Sequence, residues 1–287
     1  MIVLSSKLIN KVFRHQAVEI SHLGITNREI SPAQPTKKKS KDNTLACRYE
    51  LKYRIPEFKA RGIAAFIKPY LHIDKYSLSQ PTGQYPISSL YFDSKNLSLF
   101  RETTEGKKNR FKLRLRTYSD DQKAPYFIEV KRRINNVIIK GRARIAREDF
   151  SSVMSGGLAP SNKYREDENL IRQFQLYKDS INAIPIVQVR YMRQAFEGDT
   201  PHRVRVTFDR QLHYKTTRDP QVNVYGPGWH RIAINFVILE IKFTERFPAW
   251  LTQMVRCYDL KQGGFSKYVS SVKQSHSMGF SAPEVLV

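Results

Sequence analysis

The stretch Phe111-Lys-Leu-Arg-Leu-Arg-Thr-Tyr118 alternates strictly, with Phe111, Leu113 and Leu115 on one side and Lys112, Arg114 and Arg116 on the other. Successive side chains of an extended chain point to opposite faces, so this is a strand with one apolar and one cationic face. The pattern recurs. Phe127-Ile-Glu-Val-Lys-Arg-Arg133 sets Glu129, Lys131 and Arg133 opposite Ile128 and Val130, and Arg203-Val-Arg-Val-Thr-Phe-Asp209 sets Arg203, Arg205, Thr207 and Asp209 opposite Val204, Val206 and Phe208. Arg48, Glu50 and Lys52 share a face, as do Glu240 and Lys242. A single wet face is ordinary for an antiparallel sheet. Five strands of this kind are not, because cationic strands side by side on an open face repel. A polyanion removes the repulsion, and closing the sheet turns that face into a basic channel that focuses the field. Arginine forks match phosphate oxygens, while the interspersed glutamates suit Mg²⁺ or Mn²⁺. These residues therefore read as a site for a metal and an oligophosphate.

Outward from these stretches, period-two patterns predict strands near 46–54, 86–93, 110–118, 125–133, 136–146, 185–197, 202–210 and 231–244. Short polar turns such as Arg133-Ile-Asn-Asn136 favour antiparallel hairpins. Helices are expected at 57–72, with Phe58, Ile63, Phe66, Ile67 and Tyr70 on an apolar stripe, and at 166–180, 247–259 and 266–274. Met154-Ser-Gly-Gly-Leu-Ala-Pro160 reads as a loop between the halves of the sheet. The expected class is α+β, a mainly antiparallel sheet large enough to close on itself. Three segments follow: a basic appendage over 1–45 whose Pro-rich end carries the run Lys37-Lys-Lys39, a folded domain over 46–276, and a tail over 277–287.

The chain has 287 residues with 49 Lys+Arg against 26 Asp+Glu, a net charge of +23. That charge points to an anionic partner: nucleic acid, an anionic membrane or phosphate chains. Two cysteines, Cys47 and Cys257, exclude a disulfide framework and show no zinc spacing. No apolar run approaches the ~18 residues of a membrane span, and no secretory signal is visible, so the cytoplasm is the expected location. No nucleic-acid-binding module is visible, and the strands lack an aromatic stacking face, so no nucleic-acid partner is expected.

The segments Glu50-Leu-Lys-Tyr53, Ser89-Leu-Tyr-Phe-Asp93, Lys112-Leu-Arg-Leu-Arg116, Ile128-Glu-Val-Lys131, Arg193-Gln-Ala-Phe196, Val204-Arg-Val-Thr-Phe-Asp209, Leu239-Glu-Ile-Lys242 and Phe265-Ser-Lys-Tyr268 occur in the order seen in the VTC domain. That family contains the catalytic domain of the vacuolar transporter chaperone polyphosphate polymerase, among the CYTH-like triphosphate tunnel metalloenzymes. The resemblance covers roughly Cys47 to Gln274. It implies an eight-stranded antiparallel β-barrel with helices packed outside, enclosing a triphosphate or polyphosphate. By motif position Lys52, Arg114, Arg116, Lys131, Lys140, Arg193, Arg205 and Lys267 resemble the family's phosphate ligands, and Glu240 its metal-binding carboxylate. Strand parity or adjacency adds Arg133, Arg142, Tyr191 and Lys242. Arg114, Arg116, Lys131, Arg193 and Arg205 are the candidates for catalysis. The phosphate-sensing SPX domain and membrane segments that often accompany eukaryotic members are not seen in this sequence, so regulation and transport are not implied, although a membrane-protein partner is compatible. The resemblance implies an ATP-dependent polyphosphate polymerase using Mn²⁺ or Mg²⁺. A triphosphatase of the same fold and a non-catalytic polyphosphate or nucleotide sensor are the alternatives.

Overall fold

The computed structural model describes residues 48–135, 137–161, 163–198, 203–244 and 246–279. The expectations for 1–45, and for the tail beyond Gly279, lie outside these residues. In chain order the elements are β1 (Arg48–Ile55), α1 (Glu57–Phe66), β2 (His72–Ile73), α2 (Lys75–Leu78), β3 (Tyr85–Asp93) and α3 (Ser98–Thr104). The hairpins β4 (Arg110–Thr117), β5 (Tyr126–Ile134) and β6 (Val137–Ile145) lead to α4 (Phe150–Met154) and α5 (Glu168–Ser180). The chain continues through β7 (Ile184–Glu197), β8 (Arg205–Thr216), β9 (His230–Arg231), β10 (Val237–Thr244), α6 (Ala249–Cys257) and α7 (Lys267–Ser277).

Eight long strands form one antiparallel sheet in the order β1-β10-β8-β7-β3-β4-β5-β6, with β2 added to β7 and β9 to β8. The sheet curls into a half-barrel. Lys131 on β5 comes within 3.4 Å of Glu50 on β1, strands that stand near opposite ends of that order. Register shifts at Tyr91/Phe92 and at Arg190/Met192, the latter near Gln211 with φ 51°, supply the bulges that bend the long strands. Among the described residues no ladder joins β1 to β6.

The alternation read from the sequence assigns the faces. On the convex side of β1, β10 and β8, Tyr53, Leu239, Ile241, Val206 and Phe208 pack with Ala60 and Ile63 of α1 and with Leu251 and Met254 of α6. On the convex side of β3 to β6, Leu90, Leu113, Leu115, Ile128 and Val130 pack with Phe174 of α5 and Val153 of α4. Leu113 and Leu115 are fully buried; truncating either to alanine costs about 2–5 kcal/mol. Helix α7 is the addition. Its Tyr268 and Val272 pack among Tyr91, Val187, Val189 and Tyr191, whose register places them on the concave side. A helix therefore plugs part of the lumen.

Several elements differ from expectation. The first helix ends at Phe66, and its buried stripe is Ala60, Ile63 and the following Ile67. Phe58 is 72% exposed and Tyr70 stacks on Trp250 at the surface, because the sheet takes only one narrow stripe of the helix. The segment 231–244 is not one strand: β9 ends at Arg231 and β10 begins at Val237. Helices α2, α3 and α4 are too short for periodicity to reveal them.

Candidate active site

Across β1 and β10 the concave charges alternate in sign. Lys52 stands opposite Glu240 and Glu50 opposite Lys242. Within each strand the partners also meet, Lys52 to Glu50 at 2.7 Å and Lys242 to Glu240 at 2.8 Å. Such opposed pairs stabilise a sheet. Lys52 is accordingly raised: burial opposes its charge, but Glu240 and Glu50 outweigh burial.

The next cluster knits four strands and α7. Asp209 on β8, fully buried, accepts two hydrogen bonds from the Arg193 guanidinium of β7, at 2.7 and 2.8 Å, and pairs with Lys267 at 2.7 Å. Burial would raise its carboxyl, but Arg193 and Lys267 bring it down to about 2. Arg193 also lies 3.8 Å from Glu240. Glu240 is buried and held well below the carboxylate range, because Lys242, Lys52, Arg193 and Lys267 together outweigh its desolvation. Arg193 and Lys267 both lie over the ring of Tyr191, which is therefore a buried platform beneath them.

A second cluster centres on Glu129, which is 1% exposed. Arg114 donates to it through Nε at 2.5 Å, and Lys140, Arg142 and Arg116 stand at 3.3, 3.6 and 3.8 Å. Four cations hold its carboxyl well below the usual range against the opposing effect of burial. Arg116 also donates to Ser89 at 3.1 Å. Tyr91 has its hydroxyl 3.5 Å from Arg114. Burial would raise its phenol, but Arg114 and Arg116 overcome that and lower it.

Between these clusters runs a row of like charges. Lys112 stands opposite Lys131, and Lys131 opposite Lys140, across β4, β5 and β6. Lys131 has Glu50 and Lys140 has Glu129, but the hydrogen bond of Lys112 goes to the neutral Ser266 hydroxyl at 3.1 Å. Burial, then Lys131, Lys52, Arg110 and Arg114, pushes the Lys112 ammonium down to about 7. Lys140 is drawn to about 7, chiefly by burial, with Arg114, Arg116 and Lys242 adding to it against Glu129. Its side chain is 43% exposed, so solvent screens its share more. Like charges held in cross-strand register are destabilising. The surface is complementary to an anion that lies along it.

Of the expected residues, Lys52, Arg114, Arg116, Lys131, Lys140, Arg142, Arg193, Lys242, Lys267 and Glu240 share this concave space. Arg205 points the same way but is occupied, pairing with Asp74 at 2.6 Å and also with Glu197. Arg133 sits at the β5–β6 hairpin end, donating to the Asn135 carbonyl at 2.8 Å. Lys112, Tyr91 and Asp209 complete the site and are absent from the expected ligands. Parity places Lys112 and Asp209 on the correct face, but only the fold shows that Lys112 meets Ser266 and Asp209 meets Arg193 and Lys267. A separate groove of about 730 Å³, lined by Arg61, Lys68 and Arg210, lies beside α1 and takes no part in this constellation.

Among the described residues no group of three or more His, Cys, Asp or Glu side chains is arranged to hold a metal. Glu240 offers one carboxylate, already shared with Lys242 and Arg193. That donor set fits a hard divalent ion only when substrate phosphates supply most of its oxygens, the usual manner for Mg²⁺.

No curated protein matches the chain by sequence. Three solved structures resemble it at low identity. An adenylyl-cyclase candidate from Hippeastrum, described with a dominant triphosphatase activity, is 13% identical with a TM-score of 0.44, covering 82% of this chain and 97% of that one. An adenylate-cyclase candidate from Bacillus halodurans is 12% identical with a TM-score of 0.41, covering 76% and 92%. A Pyrococcus horikoshii protein is 10% identical with a TM-score of 0.41, covering 79% and 99%. A family profile, that of the VTC domain, matches residues 47–276, which contain every strand and every residue of the concave site. The curled sheet and its inward charges are those of a member of the VTC domain family, to which this chain belongs.

Proposed function

We propose that the concave site holds the triphosphate of ATP beside a phosphate chain and transfers the γ-phosphate to the chain end, making the protein an ATP-dependent polyphosphate polymerase. The observation that carries this reading is the Lys112–Lys131–Lys140 row, three ammonium groups in cross-strand register where a linear polyanion would lie, with Lys112 bonded to the neutral Ser266 hydroxyl. Arg114 and Arg116 beside it, and Arg193 with Lys267 across the lumen, supply forks and point charges for phosphate oxygens. Arg205, shared by Asp74 and Glu197, acts from this position as an orienting group. A divalent ion held by Glu240 and substrate oxygens would supply Lewis-acid polarisation of the γ-phosphate.

The transfer makes small demands on the protein. A terminal oxygen of the chain forms a bond to the γ-phosphorus as the bond from that phosphorus to the β–γ bridging oxygen breaks, and ADP leaves. The attacking oxygen is already ionised, so no general base is needed. Catalysis rests on alignment and on neutralising the charge spread over the transferred group.

Hydrolysis of inorganic or nucleoside triphosphate is the second reading. It calls for a carboxylate that can orient and deprotonate water. Glu129, Asp209 and Glu240 are each ion-paired and lowered, and Glu50 is paired with Lys52 and Lys131, which favours transfer over hydrolysis. The deciding experiment is a time course with ATP and Mn²⁺ that follows ADP, orthophosphate and chain length together. ADP with lengthening chains and little orthophosphate is expected. Orthophosphate without chains would make the protein a hydrolase, and intact ATP with retained tripolyphosphate binding would make it a sensor.

A further inference from the structure

The end of the β5–β6 hairpin gathers four exposed aliphatic side chains within six residues. Ile134, Val137, Ile138 and Ile139 are 44, 61, 46 and 41% exposed. By register Val137 pairs with Ile134 and Ile139 with Arg132, placing these on the convex side, while Ile138 pairs with Arg133 on the concave side. Both faces of the tip are thus apolar. A partner groove covers one face of a hairpin; a fluid medium surrounds both.

The flank of this tip is cationic. Arg110 stands directly opposite Arg133 across β4 and β5. The neighbouring turn carries the exposed Lys107 and Lys108, and is tied to the tip by the Asn135 amide donating to Asn109 at 3.1 Å. Glu102 and Glu105 lie within 4.0 and 3.7 Å of Lys107, and Glu102 also acts on Arg110, so Lys107, Lys108, Arg110 and Arg133 face two carboxylates and the flank keeps an excess of positive charge. Burial, with Arg133 next, lowers the Arg110 guanidinium against the opposing pull of Glu102. A second copy of this chain would bring the same cations and be repelled.

We propose that the β5–β6 hairpin tip inserts into the interfacial zone of an anionic lipid bilayer, with Lys107, Lys108, Arg110 and Arg133 against the headgroups. Ile139 lies two residues beyond Val137, ~7 Å further along the strand. That span matches the ~5–10 Å depth reached by interfacial apolar groups. Aliphatic insertion and lysine attraction to anionic headgroups act together in such contacts. A membrane-spanning helix is not involved: none of the described helices is long and apolar enough to cross.

The test is co-sedimentation of the full chain with vesicles of phosphatidylcholine alone, and with about a quarter of the lipid replaced by phosphatidylserine, at physiological salt. Wild-type protein should pellet with the anionic vesicles only. The variant Val137→Ser/Ile138→Ser/Ile139→Ser should bind at least roughly tenfold more weakly, since the lost side chains supply the apolar half of the contact. These positions are exposed, so folding should survive, and the melting shift given by tripolyphosphate should be unchanged. Ile138→Trp should show a blue-shifted emission with anionic vesicles. Absence of wild-type binding would overturn the proposal. So would equal binding by the serine variant, which would assign attachment to diffuse surface charge, or lipid-free oligomers that the same variant dissolves. The unchanged tripolyphosphate shift separates failure here from failure of the polymerase reading.

Discussion

Lys112 shows how a fold changes what a side chain does. Its ammonium falls to about 7 because burial and four surrounding cations disfavour its charge. From about pH 7 to the ordinary lysine value near 10.5 the unfolded chain holds a proton there that the folded one does not. Stability from this group therefore rises with pH through that window and is absent below it. A bound polyphosphate reverses the balance by favouring the charged form. Tripolyphosphate binding near pH 8 should then take up protons, and the uptake should be reduced in Lys112→Arg to the share of Lys140, whose ammonium also lies at about 7. Calorimetry in two buffers of different ionisation enthalpy measures it; equal heats in wild-type protein would remove Lys112 from the site. Glu129 makes the complementary case. Glu129→Gln leaves its cations without their shared anion, at a cost of about 3 kcal/mol, or roughly 10 °C in melting temperature for a domain of this size. The variant should nevertheless show a larger tripolyphosphate shift than wild-type protein, because more of the cationic charge is free for the ligand. A smaller shift would mean that Glu129 orients the arginines rather than neutralises them.

At the scale of elements, α7 is the piece that joins the core to the site. Asp93, fully buried, accepts from the backbone amides of Leu99 and Phe100 at the start of α3 and from the Tyr268 hydroxyl of α7 at 2.5 Å. Ser266 caps α7 by accepting from the Val269 amide, and Lys267 of the first turn meets Asp209. The two short motifs ending at Asp93 and Tyr268 are thus halves of one anchor. Tyr268→Phe removes one of Asp93's donors and should cost about 1–2 kcal/mol. It should also weaken tripolyphosphate binding through displacement of Lys267 while the strand signal in circular dichroism is kept. Unaltered affinity would show that α7 is held by Val272 and its apolar neighbours alone.

For the whole molecule, the consequence of gathering so many cations on one concave face is a folded state that an anion should stabilise. Tripolyphosphate should raise the melting temperature, by about 2.7 kcal/mol of stabilisation when its concentration is a hundred times Kd. Orthophosphate at the same ionic strength should do far less, since it cannot span the clusters at Glu129 and Asp209 together. Equal shifts would leave an open basic face in place of a site built for chains.

The strands and their two faces were legible because a period of two is written locally: Phe111 to Tyr118 needs no distant residue to show which side is charged. The long helices followed for the same reason, though not the orientation of Phe58, whose exposure depends on how much of α1 the sheet covers. The inward placement of the arginine and lysine candidates was legible too, and most of them share the lumen. What the chain could not display locally is pairing. Only the order β1-β10-β8-β7-β3-β4-β5-β6 aligns three lysines in one row, gives Arg205 to Asp74, and leaves Lys112 facing a serine. Charge is a property of each residue, but the partners of Lys131, Arg205 and Lys112 come from 81, 131 and 154 positions away. The sequence by itself determined that this protein gathers cations on one face of its strands; the tertiary structure decided which of them meet a carboxylate and which, like Lys112, meet a neutral group, because pairing depends on neighbours that only the fold assembles.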